Sequence, residues 1–235
     1  MQRMKITVVG ASGLIGTKVV ELLKADGHDV VASSRSTGVD VLSGAGLADA
    51  LAGAGALVDV TNSPSFEAGP VMEFFTTSAA HLVDAASAAG VGHYVALSIV
   101  GVDGLPDSGY FRAKVAQEKI ITESGLPYSI VRATQFAEFA DAITESLVVG
   151  DEVRVPDALI QPIPADQVAS AVARAAASTP LNGIVNVGGP EKITFEQMAR
   201  DALTRNGDDT KTVVIDPEAR YYGAALSTGS LVTPD

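Results

Sequence analysis

Apolar positions along the chain fall into two alternating patterns. Short runs dense in β-branched residues read as strands: "KITVVG" (5–10), "HDVVASSR" (28–35), "ALVDVT" (56–61), "HYVALS" (93–98) and "PYSIVRA" (127–133). Between them, apolar residues recur at helical spacing in "LIGTKVVELLKADG" (14–27), "GLADALAGAG" (46–55), "GPVMEFFTTSAAHLVDAASAAG" (69–90) and "YFRAKVAQEKIITESG" (110–125). Gly27 and Gly90 stand where helices stop, and Pro70 stands where one starts. The strand segments are nearly continuous apolar runs, as strands covered on both faces must be. Such alternation predicts right-handed βαβ units and an α/β fold, a doubly wound parallel sheet.

Beyond residue 134 the rhythm loosens. The pattern predicts a helix over 136–150, short strands at 152–156 and 159–164, and an amphipathic helix at 165–178. A strand at 183–189, a helix at 194–207 and the run "TVVID" (212–216) follow. No composition shift marks a linker. The expected organisation is a main part over residues 1–135 and a smaller C-terminal part over 136–235, packed on the first as one unit.

Composition narrows the function. The 235 residues are 47% apolar and 19% charged, which is the make-up of a folded globular chain. A net charge of −12 argues against binding nucleic acid through its phosphates. The absence of cysteine excludes disulfides, thiolate metal sites and cysteine nucleophiles. No uninterrupted apolar run is long enough to span a membrane, and the N-terminus turns straight into a strand. The expectation is a cytoplasmic protein with a small-molecule substrate and neither nucleic acid nor membrane as partner; an oligomer is compatible with it. His28, His81 and His93 lack metal-ligand spacing, so no metal is expected.

Candidate chemistry begins at "VVGASGLIG" (8–16). Gly10, Gly13 and Gly16 lie between a strand and a helix, with Ser12, Leu14 and Ile15 completing the turn. Glycines there permit a sharp turn and close approach of a pyrophosphate to the helix N-terminal N–H groups, so the segment is a dinucleotide-binding loop. NAD-binding units usually carry an acidic residue at the end of the second strand. Here that strand ends "ASSRS", with Ser34 and Arg35, and a guanidinium suits a 2′-phosphate. NADP(H) is therefore favoured over NAD(H).

The fourth strand ends at Ser98, and Tyr110 and Lys114 follow at i and i+4 on one helix face. A nearby ammonium lowers a phenol pKa, and the phenol can then exchange a proton with a carbonyl oxygen held by the serine. These motifs resemble the short-chain dehydrogenase/reductase superfamily in its atypical, NmrA-like branch. "VVGASGLIG" resembles that branch's phosphate loop, and the block from "VALSIVGVDG" to "SGLPYSIVRATQF" resembles its serine-to-YxxxK-to-"SGLxYTIxRP" region. "IPADQVASAVARAA" and "NVGGPEKITFEQMA" resemble later segments of extended and atypical members, so the likeness runs to about residue 207. Arg132–Ala133 stands where the relatives carry Arg-Pro.

The resemblance implies a Rossmann-type domain with a small C-terminal substrate-covering part. By position it makes Ser98 the residue that orients substrate and Tyr110 the acid/base. Lys114 would hold the nicotinamide ribose and tune Tyr110. Thr61 and Asn62 would line the adenine-side ribose. Phe136, Phe139, Tyr221 and Tyr222 could line a substrate pocket, although aromatics at such spacing are more often core. Asp59, inside a strand, is expected to bond neighbouring backbone or hydroxyl groups. "DVTNSPSFEAGP" (59–70) has the composition of a mobile loop near the cofactor. The reading is an NADPH-dependent oxidoreductase that reduces a small carbonyl or quinone-like substrate. The alternative is a non-catalytic NADP(H)-binding redox sensor that regulates a partner protein, and a third reading is an epimerase or dehydratase.

Overall fold

The structure is a computed structural model and describes residues 3–234. In chain order, β1 (Lys5–Val9), α1 (Leu14–Ala25), β2 (Asp29–Ser33), α2 (Leu47–Leu51) and β3 (Ala56–Asp59) come first. They are followed by α3 (Ala68–Ala89), β4 (His93–Ile99), α4 (Gly109–Glu123) and β5 (Tyr128–Ala133). The second half holds α5 (Ala140–Ser146), β6 (Val148–Val149), β7 (Glu152–Val155), β8 (Leu159–Ile160), α6 (Ala165–Ala176), β9 (Gly183–Val187), β10 (Ile193–Thr194), α7 (Phe195–Asn206) and β11 (Thr212–Ile215). Six strands form one parallel sheet in the order β2-β1-β3-β4-β5-β9. This is the doubly wound, Rossmann-like sheet that the strand–helix alternation predicts.

The pleat decides which helix covers which face. Ile6 and Val8 of β1 pack with Val58, Val95 and Val131 under α1 (Ile15, Val19, Leu23) and α6 (Val168, Val172). Val9, Leu57, Tyr94 and Ile130 face the other way, against α2 (Leu47, Leu51), α3 (Leu82, Ala86) and Ile121 of α4. Alternate residues of each strand thus feed two separate cores, which explains why the strands are apolar throughout. Leu23 is fully buried; its truncation to Ala would cost about 2–5 kcal/mol.

A third core underlies the smaller part. It joins Phe111 of α4, Ile143 of α5, Val153 and Val155 of β7, Phe195 and Met198 of α7, and Tyr221. Around it lie a three-stranded sheet, β11-β7-β6, and the β10-β8 pair.

Three expectations change in the second half. The helix expected over 136–150 ends at Ser146, because Val148–Val149 turns back through Gly150, with φ +63, to pair with Glu152 and Val153. The strand expected over 159–164 stops at Ile160, beyond which Pro162 and Pro164 have no N–H to give. The run at 183–189 does not belong to the smaller C-terminal part. As β9 it pairs with β5 and completes the main sheet, while α6 packs beside α1. A boundary drawn at residues 135/136 therefore does not follow the layers: the chain leaves the main sheet after β5 and returns to it. Among the described residues, no helix is long and apolar enough to cross a membrane.

Candidate active site

Strand register builds the rim. Val9 ends β1 opposite Ser33 of β2 and Asp59 of β3, so the segments that follow these strands emerge level with one another. They are the glycine turn, Ser34–Arg35 and Val60–Asn62. The chain leaves β1 for β2 on one side and β3 on the other, which is the switch point where open α/β sheets hold ligands. A cavity of about 580 Å³ opens there. Every residue expected at the site lines it, except Gly16.

The three glycines do different work. Gly10 has φ +88, and a Cβ on it would lie 2.8 Å from the Val60 carbonyl oxygen. A Cβ on Gly16 would lie 2.1 Å from the Gly10 carbonyl oxygen, so this glycine lets α1 pack onto the turn. A Cβ on Gly13 would meet nothing closer than 3.4 Å. The fold requires Gly10 and Gly16, whereas Gly13 only keeps the cavity side of the turn clear. Gly13 is also the N-cap of α1; no side chain caps it and no acidic residue sits in the first turn. Helix N–H groups thus meet the cavity with their partial positive charge uncompensated, which fits a phosphate. At the next strand end, the Ser34 N–H donates to Thr37 Oγ1 at 2.9 Å, which fixes the turn that presents exposed Arg35 to the cavity. Arg35 makes no ion pair among the described residues.

At the other end Ser108 caps α4, its Oγ accepting from the Phe111 N–H at 3.3 Å. Tyr110 is thereby set in the first turn, with Lys114 one turn later. The Tyr110 hydroxyl donates to Asn62 Oδ1 at 3.3 Å, and its ring meets Phe66 edge-on at 5.2 Å between centroids. Lys114 is 3% exposed. Its ammonium donates to the Leu97 carbonyl at 2.9 Å and to Gln117 Oε1, and lies 4.5 Å from the centre of the Phe75 ring. Gln117 passes the connection on, its Nε2 donating to Asp59 Oδ2 at 2.9 Å. The same carboxylate accepts from the Tyr94 hydroxyl, the Thr61 N–H and the Thr61 hydroxyl. The neighbouring bonds expected of Asp59 are present, and Gln117 is an addition.

Burial brings the Lys114 ammonium down to about 8, with Asp59 and Glu118 pulling it the other way. Burial also pushes the Tyr110 phenol well above its ordinary value. This corrects the expected lowering by Lys114: the ammonium is bound into the Leu97–Gln117–Asp59 network beneath, and desolvation governs the phenol. Ser98 Oγ and Gln135 Oε1, both on the cavity wall, are buried and have no hydrogen-bond partner among the described residues. Such atoms await a polar group. Arg132, next to Ala133, pairs with Glu118 through Nε at 2.9 Å and Nη2 at 2.6 Å, and with Asp103 at 3.1 Å. It braces β5 against α4 and is not among the lining residues.

A family model for NAD(P)H-binding proteins matches residues 10–179. The chain belongs to this NAD(P)H-binding family. No curated protein sequence matches it. Among solved structures it is similar to the dTDP-glucose 4,6-dehydratase of Streptomyces venezuelae with NAD bound, at 20% identity and a TM-score of 0.74, over 96% of this chain and 89% of that one. It is also similar to the Thermus thermophilus UDP-glucose 4-epimerase in complex with NAD, at 19% identity and a TM-score of 0.71, over 97% and 92%. The NADPH-dependent quinone oxidoreductase of Escherichia coli, complexed with NADPH, aligns at 22% identity and a TM-score of 0.64, over 90% and 77%. These likenesses establish the fold, a Rossmann-like α/β fold. The open face of Gly13, the uncapped α1 and the unpartnered Ser98 fit the family's dinucleotide.

Sequence reasoning missed Phe66, Gln117 and Gln135. Gln117 was accessible, because i+3 from Lys114 lies on the same helix face. Phe66 and Gln135 sit in loops whose path no periodicity reveals. Phe136, Phe139, Tyr221 and Tyr222 all line the cavity.

Proposed function

We propose that the protein is an NADPH-dependent reductase of a small carbonyl or quinone-like substrate. One observation carries this reading: Ser98, Tyr110 and Lys114 share a cavity wall with the phosphate loop. The loop Gly10–Gly16 and the N-terminus of α1 hold the pyrophosphate, and Arg35 takes the 2′-phosphate that distinguishes NADPH from NADH. NADPH, when bound, supplies the hydride. Ser98 Oγ, unpartnered in its buried position, donates to the substrate oxygen and orients it. Tyr110, kept protonated by burial, gives its proton to that oxygen as negative charge develops on it. Lys114 secures the helix face beneath them through Leu97 and Gln117.

The sensor reading is favoured by one feature, the commitment of the Lys114 ammonium to protein partners rather than to the open cavity. NADPH oxidation followed optically against a panel of quinones, ketones and aldehydes tests both. Turnover of one class, lost in Tyr110→Phe, supports the reductase. Tight NADPH binding with no turnover across the panel, and a shift in affinity for a partner protein, supports the sensor.

A further inference from the structure

Tyr222 holds a backbone conformation that a ring-bearing residue ordinarily avoids. With Gly223 it forms the tip of a tight turn: the Tyr221 N–H donates to the Ala224 carbonyl at 2.9 Å, and the Ala224 N–H donates back at 3.0 Å. Both tip residues have positive φ, +47 for Tyr222 and +83 for Gly223. Asn-Gly is the pair that favours such a tip, because asparagine tolerates the left-handed region and tyrosine does not. Asn182 is the other non-glycine residue with positive φ among the described residues. Strained backbone of this kind collects where a ligand is handled.

The location agrees. Tyr222 is 43% exposed and lines the cavity. Its centroid lies 5.6 Å from that of Tyr110 and 5.3 Å from that of Phe66, which reaches in from the loop after β3. The charged residues lining the cavity are Arg35 and Asp40 near the phosphate loop and Lys114, which is buried. Around Tyr110 the cavity therefore offers ring surfaces and no exposed charge.

We propose that Tyr222 is a specificity-determining residue. Its turn is a fixed aromatic cap that, with Phe66, stacks a flat, uncharged conjugated ring bearing the reducible carbonyl. The site thus selects quinone-like and aryl-ketone-like substrates over aliphatic carbonyls. This rests on the reductase reading for the chemistry, while the stacking itself is a matter of binding.

The test is equilibrium dialysis of 1,4-naphthoquinone against NADP⁺-saturated protein, with thermal melts alongside. The chain has no cysteine, so no thiol captures the quinone. Tyr222→Asn restores the favoured turn pair, and its melting temperature should rise by about 2–4 °C. Its naphthoquinone affinity should fall by about tenfold or more, with NADPH affinity within about twofold. Tyr222→Phe keeps the ring and should keep the affinity within about twofold. Unchanged naphthoquinone affinity in Tyr222→Asn, a lower melting temperature in that variant, or no binding by the unmutated protein would each overturn the proposal. If the unmutated protein binds naphthoquinone in a Tyr222-dependent way but turns over nothing, the cap stands and the reductase reading falls. If only aliphatic carbonyls are turned over, the reductase reading stands and the cap falls.

Discussion

The two ends of the cavity are made by different means. The phosphate-loop end is backbone: three glycines within seven residues and the first turn of the helix they open. The Tyr110 end is side chains, drawn from the loop after β3, the end of β4, the start of α4, the segment after β5 and the turn at 221–224. The first is complete as soon as one strand, one turn and one helix exist. The second exists only when distant parts of the chain have folded together. The difference teaches where a single substitution acts: at the backbone end on ligand space at Gly13 and on the turn itself at Gly10 and Gly16, and at the side-chain end on a shared network.

The sharpest way to break the comparison is a pair of glycine variants. Gly13→Val should remove measurable dinucleotide binding while the melting temperature stays close to that of the unmutated protein. Gly16→Ala should fail to fold well, because its Cβ would lie 2.1 Å from a backbone oxygen. Tight dinucleotide binding by a folded Gly13→Val would show that this end is a mere turn. At the other end, Tyr110→Phe should lower turnover by about 10²-fold or more, with NADPH affinity within a few-fold by titration. Full turnover would remove Tyr110 from the chemistry. Lys114→Ala should harm both binding and turnover.

A smaller effect is expected between the ends. NADPH should bind about tenfold tighter than NADH, or about 1.4 kcal/mol, and Arg35→Ala should erase most of that gap. Equal binding of the two by the unmutated protein would leave Arg35 without a role. The smallest effect is a slope. In the folded chain Lys114 titrates at about 8, below its ordinary 10.5. Between those values the unfolded chain holds more protons, so this residue makes stability rise with pH there. Below pH 8 the penalty of burying the charge is fully present. In denaturant titrations across that window, the unmutated protein should gain on Lys114→Met as pH rises; parallel curves would mean that the burial carries no such penalty.

The sequence made the backbone end legible because its determinants are local. Gly10, Gly13 and Gly16 sit between a strand run and a helix run, and Arg35 ends the next strand. The side-chain end was legible only where helical spacing or strand ends exposed it, as for Ser98, Tyr110 and Lys114. The direction of the Tyr110 shift was misread because spacing places Lys114 near the phenol but says nothing of Leu97, Gln117 and Phe75, which engage the ammonium. The same limit hid β9. Its residues read as a strand, but only the tertiary fold says that they pair with β5 rather than within the smaller part.

That return has a consequence for how the molecule comes into being. While the chain is made, β5 emerges some fifty residues before its outer partner, Gly183–Val187. Until then its outer edge is an unpaired row of peptide groups, open to wrong partners. Residues 1–135 cut out as a fragment would keep that open edge permanently and would also lack α6, which covers part of the core beneath α1. The stretches before and after residue 135 therefore mature together, and neither should be expected to work alone.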